Sequence, residues 1–130
     1  MTEPLFVRIE TVYLPVRNLD RAVQWYRDTM QLEILWKNET AASLKLGETP
    51  LTLLKYQFPG MSEPPYEDFE FVPVTEVLFN IFTSDIEAAH KLLEDKDVAV
   101  SDIEIHENLQ DFIFADLDGN MIGVCTPYLE

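Results

Sequence analysis

The feature that most constrains this chain is an internal repeat. A strand-like run, a capped helix and three further strand-like runs occur in the first half and again in the second. Asn18-Leu19-Asp20-Arg21-Ala22 aligns with Asp85-Ile86-Glu87-Ala88-Ala89, and Leu51-Thr52-Leu53 aligns with Ile122-Gly123-Val124. Identity between the copies is low, but order, spacing and facing agree. Such self-similarity constrains the fold more than any local propensity does. Two copies of strand-helix-strand-strand-strand place two curved sheets side by side, with their concave faces around one cleft. The expected class is α+β, in a single domain over residues 1–130. Module one spans about 5–57, a linker about 58–73, and module two about 74–128.

In the first copy, Val7 to Val16 alternates. Val12, Leu14 and Val16 share one face, and Thr11, Tyr13 and Pro15 the other. Pro15 lacks an N–H and belongs near the strand's end or at an edge. Asn18 is placed to cap a helix from Leu19 to about Met30. Leu19, Ala22, Val23, Tyr26 and Met30 form its apolar stripe, with Trp25 beside it. Leu32 to Lys37, Thr40 to Leu46 and Pro50 to Tyr56 read as strands separated by turn-sized gaps.

In the second copy, Val77 to Thr83 reads as a strand, with Phe79 and Ile81 on one face and Leu78, Asn80 and Phe82 on the other. Ser84 or Asp85 caps a helix from about Ile86 to Asp95, and Ser84-x-x-Glu87 has the form of a capping box. Ile86, Ala89, Leu92 and Leu93 make its stripe. Val98 to Ile105, Leu109 to Ala115 and Met121 to Thr126 complete the copy. Between the last two stands Asp116-Leu117-Asp118-Gly119-Asn120. Asp-Gly between apolar runs is the strongest short-range hairpin signal, because the turn needs φ > 0 and Gly accepts it freely. Beyond it, Ile122 and Val124 share the core face, and Met121, Gly123 and Cys125 the other.

Phe58 to Pro73 interrupts the pattern with Pro59, Gly60, Pro64, Pro65 and Pro73. It also carries Tyr66, Phe69 and Phe71, too many rings for a plain solvated linker. These rings are expected to pack on the domain or on a partner, with a lid as the alternative.

At 130 residues, 47% of them hydrophobic, the chain is long enough for a real core. A formal charge of -15 and a pI near 4.3 argue against nucleic-acid and membrane partners. The charge serves mainly for solubility and leaves room for a cationic ligand. Cys125 is the single cysteine, so no intramolecular disulfide forms. The start shows no basic n-region, and no apolar run reaches the roughly 20 residues of a bilayer span. The expected location is cytoplasmic.

This pattern resembles the vicinal oxygen chelate superfamily, which includes glyoxalase I, the bleomycin-resistance proteins and extradiol dioxygenases. The carriers are Val12-Tyr13-Leu14-Pro15-Val16-Arg17-Asn18-Leu19, Ala22-Val23-Gln24-Trp25-Tyr26-Arg27-Asp28, Ser84-Asp85-Ile86-Glu87-Ala88-Ala89 and Phe114-Ala115-Asp116-Leu117-Asp118-Gly119-Asn120. The resemblance covers nearly the whole chain and is closest in style to the small bleomycin-resistance-like proteins. It implies paired βαβββ modules around a deep cleft. In metal-dependent members, four cleft positions supply His, Glu or Gln ligands, early in the first strand and in the last strand of each module. Here those positions fall at Thr11, Leu78, Thr52 and Gly123. Leu and Gly cannot ligate, and Thr is a poor neutral ligand. The resemblance therefore implies no metal at that site and none of the usual Lewis-acid chemistry. A register shift of one would offer Glu10, Glu76 or Val77 and turn the apolar face into the cleft. The family commonly has Gly after the first helix. This chain has Gln31, where a left-handed backbone costs about 1 kcal/mol relative to Gly. Asp97, after the second helix, tolerates that geometry better.

By alternation, the cleft faces carry Thr11, Tyr13, Thr52, Leu54, Leu78, Asn80, Phe82, Gly123 and Cys125, with Phe112 and Phe114 at the rim. None is charged at neutral pH. Such a cleft suits an organic ligand of metabolite size, unless its side chains collapse into a filled core. Gly123 leaves space where a metal ligand would have stood. Cys125 has no activating histidine on its strand and is expected to be inert. His90 is expected on the polar side of the second helix. Glu104 and His106 share a strand face, but two ligands are too few for a metal. No Ser-His-Asp arrangement, P-loop or dinucleotide fingerprint is present. No catalytic residue, metal or cofactor is expected.

Three functions follow in order. The first is a metal-independent binding protein for an apolar or aromatic ligand, cationic ones included. The second is a metal-dependent lyase, isomerase or dioxygenase. The third is a regulatory or interaction module with a vestigial cleft, acting through Tyr66, Phe69 and Phe71. Members of the family often dimerise, and a homodimer is expected.

Overall fold

The computed structural model describes residues 4–56 and 73–127, so the expected aromatic linker falls outside them except for Pro73. The first module runs β1 (Val12–Val16), α1 (Leu19–Met30), β2 (Ile34–Lys37), β3 (Ala41–Leu44) and β4 (Leu51–Lys55). The second runs β5 (Asn80–Phe82), α2 (Ile86–Asp95), β6 (Glu104–Ile105), β7 (Leu109–Ala115) and β8 (Met121–Pro127). Each module forms a four-stranded sheet, in the orders β1-β4-β3-β2 and β5-β8-β7-β6. The repeat is thus realised strand for strand, as an α+β fold.

In each sheet the first and last strands of the module run parallel at the edge pair, which requires a crossover and explains the helix between them. Tyr13 stands opposite Thr52, and Asn80 opposite Gly123. This reproduces the alignment of Thr52 with Gly123 across the repeat. The helices start where their caps direct: the Asn18 side chain accepts from the Arg21 N–H, and the Asp85 side chain from the Ala88 N–H. Asp85, not Ser84, is the cap of α2. Gln31 and Asp97 both take left-handed backbone, at φ 60° and 61°.

Three expected strands are half the length of their patterns or less, and of Val77 to Thr83 only Asn80–Phe82 is a strand. Alternation from Val7 becomes a paired strand only at Val12, and Leu5, Phe6, Val7 and Ile9 stay exposed. Val98 to Ile105 follows β7, but only Glu104–Ile105 is a strand. The cause is local: Ile113 N–H donates to the Ser101 hydroxyl at 2.8 Å, where a ladder carbonyl would otherwise accept.

One core joins the modules. Leu14, Val16, Val23, Tyr26, Leu44 and Leu53 from the first pack with Ile86, Leu93, Phe112, Phe114, Ile122 and Val124 from the second. Trp25 on α1 stacks on Phe114 of β7 with ring centroids 6.5 Å apart. This corrects the placing of Phe112 and Phe114 at the cleft rim, since they are 1% and 0% exposed. Phe112 pairs with Val124 and Phe114 with Ile122, and directly paired side chains share a face. Both rings therefore follow Ile122 and Val124 into the core.

Candidate functional site

The Asp116–Asn120 turn locks the modules together and sets where the site can form. Gly119 takes φ +90° there. Asp116 Oδ1 accepts the N–H groups of Asp118 and Asn120, both at 2.9 Å. Its Oδ2 accepts the Tyr26 hydroxyl at 2.6 Å and Asn120 Nδ2 at 3.0 Å. Asn120 Nδ2 also donates to the Pro15 carbonyl at 2.8 Å, and its Oδ1 accepts Val74 N–H at 2.8 Å. Asp118 accepts the backbone N–H and Nε of Arg17 at 2.9 and 3.0 Å. All three polar residues of the turn are buried with their side chains bonded. Burial first, and then the charge of Asp116, holds the Tyr26 phenol well above its ordinary range. The motif that carries the family likeness is therefore a structural joint.

The face of the first sheet opposite the core carries Tyr13, Thr52 and Ser43. Thr11 Oγ1 is bonded to the Pro50 carbonyl at 2.9 Å and lies 2.7 Å from Thr52 Oγ1, which reaches Ser43 Oγ at 3.2 Å. Thr52 and Ser43 are buried, so these hydroxyls satisfy one another rather than pointing at a common centre. Leu54 is half-buried beyond them.

On the second sheet, Phe82 pairs with Cys125, and Cys125 with Asp111. A Cβ built on Gly123 would lie 2.0 Å from Asn80 Oδ1 and 3.0 Å from Val77 Cγ1. The space expected at Gly123 is therefore taken by the Asn80 amide. Burial, and then the neighbouring Asp111 charge, pushes the Cys125 thiol up. That leaves little thiolate for nucleophilic work.

The four positions that the resemblance implies for a metal present two mutually bonded hydroxyls, the exposed side chain of Leu78 and a glycine blocked by an amide. This donor set does not fit a divalent ion, which needs imidazole or carboxylate groups.

The expected cleft residues are not all brought into one cavity. Asn80 and Phe82 line a cavity of about 360 Å³ together with Ile9, Val12, Leu46 and Phe79. Phe82 also borders a second cavity of about 200 Å³, where Phe114 joins Met30 and Leu92. Thr11, Tyr13, Thr52, Leu54, Leu78, Gly123 and Cys125 line neither. Tyr13, Leu78 and Phe82 are 58%, 73% and 61% exposed, so these side chains have not collapsed into a core.

Two residues behave differently from expectation. His90 is half-buried: its Nε2 lies 2.8 Å from the Ser101 carbonyl and its ring meets Phe112 edge-on at 4.9 Å. Asp111 joins Glu104 and His106 as a third potential ligand. A two-residue turn at Glu107-Asn108 pairs His106 with Leu109 and therefore Glu104 with Asp111. Counting back from that short turn would have revealed Asp111 in the sequence.

No helix among the described residues is long and apolar enough to cross a membrane. A family model described as "Glyoxalase/Bleomycin resistance protein/Dioxygenase superfamily" matches residues 8–124. A metallothiol transferase FosB of Staphylococcus haemolyticus is 28% identical over 125 residues, spanning 94% of this chain and 85% of the relative. Among solved structures, TnmS3, an antibiotic binding protein from Streptomyces sp. CB03234, superposes with a TM-score of 0.77 at 22% identity, covering 97% of this chain and all of that one. A lactoylglutathione lyase from Agrobacterium tumefaciens gives 0.75 at 20% identity, covering 95% and 96%. These two show a shared fold. With the family model spanning both modules and the repeat realised in both sheets, the chain belongs to the glyoxalase/bleomycin resistance protein/dioxygenase superfamily.

Proposed function

We propose that this protein captures a small apolar or aromatic molecule, cationic ones included, without a metal at the four family positions. The observation that carries this reading is the cavity beside β5. Phe79 and Phe82, with Ile9, Val12 and Leu46, offer an apolar lining, and Thr49 and Asn80 are the polar residues among those that line it. Phe82 is exposed at this cavity, and Tyr13 and Leu78, next in sequence to its lining residues Val12 and Phe79, are exposed as well. A neighbour of the same fold is described as an antibiotic binding protein, which supports capture as a use of this fold.

Leu5, Phe6, Val7 and Ile9 are exposed, and so are Tyr13 and Trp36, which stand at the two ends of the row Tyr13, Thr52, Ser43, Trp36 across the first sheet. Apolar surface of this extent marks an association site, and the reading includes a homodimer.

The test is a thermal-shift and native mass-spectrometry screen of planar aromatic and apolar cationic compounds. A binder whose affinity falls at least tenfold in Phe82→Ser supports capture. A screen with no binder, or affinity unchanged in that variant, refutes it. The second reading, a metal-dependent enzyme, draws on the metallothiol transferase relatives. It demands metal-dependent consumption of a low-molecular-weight thiol by the protein. Its appearance in the variant His106→Gln as well as in the wild type would displace capture as the leading function.

A further inference from the structure

We propose that the β6–β7 hairpin holds a divalent transition-metal ion between Glu104, His106 and Asp111. This site is separate from the four family positions and from the cavity beside β5. Its geometry follows from pairing. Glu104 stands opposite Asp111, and His106 lies two residues beyond Glu104 on the same face. One atom, His106 Nε2, faces both carboxylates, at 3.0 Å from Asp111 Oδ1 and 3.6 Å from Glu104 Oε2. All three donor atoms lie within 4.8 Å of one another. Metal–ligand bonds of about 2.0–2.2 Å at a tetrahedral centre set donor–donor edges of roughly 3.4 Å. The two separations at His106 bracket that value, and the carboxylate oxygens lie within 4.8 Å of each other, so an ion replacing the His106–Asp111 hydrogen bond draws the two carboxylates together.

The donor chemistry narrows the ion. Two carboxylates balance a double charge, and an imidazole nitrogen favours Zn²⁺ and its neighbours over Mg²⁺ or Ca²⁺. Glu104 and His106 are on the exposed side, which leaves coordination positions for water. The chain's charge of -15 concentrates cations near such a site. The mechanical role is also plain. β6 is two residues long and is held by two ladder pairs. An ion bridging β6 to β7 pins this edge strand to the sheet. It lies at the outer end of the row Phe82, Cys125, Asp111, Glu104 that crosses the second sheet.

The test is calorimetric titration of the metal-stripped full chain with Zn²⁺ alone and with Mg²⁺ alone. One saturable Zn²⁺ site per chain is expected, at least a hundredfold tighter than Mg²⁺. Affinity falls at least tenfold in His106→Gln and in Asp111→Asn, and is unchanged in His90→Gln. Glu104 and His106 lie at the surface and Asp111 is half-buried, and circular dichroism of each metal-free variant is expected to match the wild type. As a second readout, Zn²⁺ raises the melting temperature of the wild type and leaves that of His106→Gln unmoved. Absence of a saturable Zn²⁺ site overturns the proposal. So does equal affinity in His106→Gln, which would mean diffuse binding to surface acids. Ligand capture by Phe82 is measured without metal, so either proposal can fail while the other stands.

Discussion

Replacing Tyr26 with Phe isolates one hydrogen bond at the joint between the modules. The ring is fully buried and keeps its packing, so the change removes an oxygen and little else. That oxygen donates to Asp116 Oδ2 at 2.6 Å. Hydrogen bonds to charged groups contribute about 1.5–3 kcal/mol. Asp116 keeps its bonds from Asp118 N–H, Asn120 N–H and Asn120 Nδ2, which holds the loss to about 2 kcal/mol within that range. For a chain of this size that lowers the melting temperature by roughly 8 °C. Urea unfolding at pH 7 is expected to show a lower midpoint with an unchanged slope. The pH dependence supplies a second check. The folded phenol titrates well above the ordinary value of about 10 that applies to the unfolded chain. Its contribution is complete below pH 10 and is lost as pH rises through the folded value. The gap between wild type and Tyr26→Phe therefore narrows above pH 10. A variant within about 0.5 kcal/mol of wild type at pH 7, or a gap constant from about pH 8 to 11, would refute the assignment of this bond.

Three further outcomes are expected. Gln31→Gly removes a left-handed Cβ penalty of about 1–2 kcal/mol and adds back about 0.5–1 kcal/mol of chain entropy, so thermal unfolding is expected to show a net gain; destabilisation would contradict it. Gly123→Ala drives the Asn80 amide from its position and presses on Val77 Cγ1, both on exposed side chains that can give way. The loss is expected to stay below about 1 kcal/mol, and Asn80→Ala in the same chain should relieve it in a denaturation series. Cys125 is expected to react with iodoacetamide at pH 8 more slowly than an unhindered thiol, because its raised pKa leaves less thiolate; an equal or faster rate would contradict that.

Much of the fold was legible because it rests on local, periodic signals. The caps at Asn18 and Asp85, the apolar stripes of both helices and the Asp-Gly turn each specify backbone within a few residues. The repeat then supplied the long-range order that single elements lack. Boundaries were less legible. Val7 to Ile9 alternates as well as Val12 to Val16, yet only the latter finds β4 as a partner. Alternation reports which way side chains point, not whether a neighbouring strand is present. Ser101 shows the same limit, since its hydroxyl takes the Ile113 N–H and breaks a ladder that hydrophobicity alone continues.

The candidate site was legible only as faces, because its volume depends on who stands opposite whom. Gly123 reads as empty space along its own strand. Its parallel partner is Asn80, and the amide fills that space. Phe112 and Phe114 read as rim residues until the hairpin pairs them with Val124 and Ile122. Asp111 reads as an ordinary acid until the short turn at Glu107-Asn108 brings it opposite Glu104, beside His106. All three differences arise from cross-strand pairing, and pairing in both hairpins of the second sheet is set by short turns. For a repeat of this kind, register counted outward from each turn therefore carries more chemistry than alternation counted along each strand. It assembles a set of ligands at the edge of the second sheet, while the gap at Gly123 is filled across the parallel pair by Asn80, where no turn sets the register.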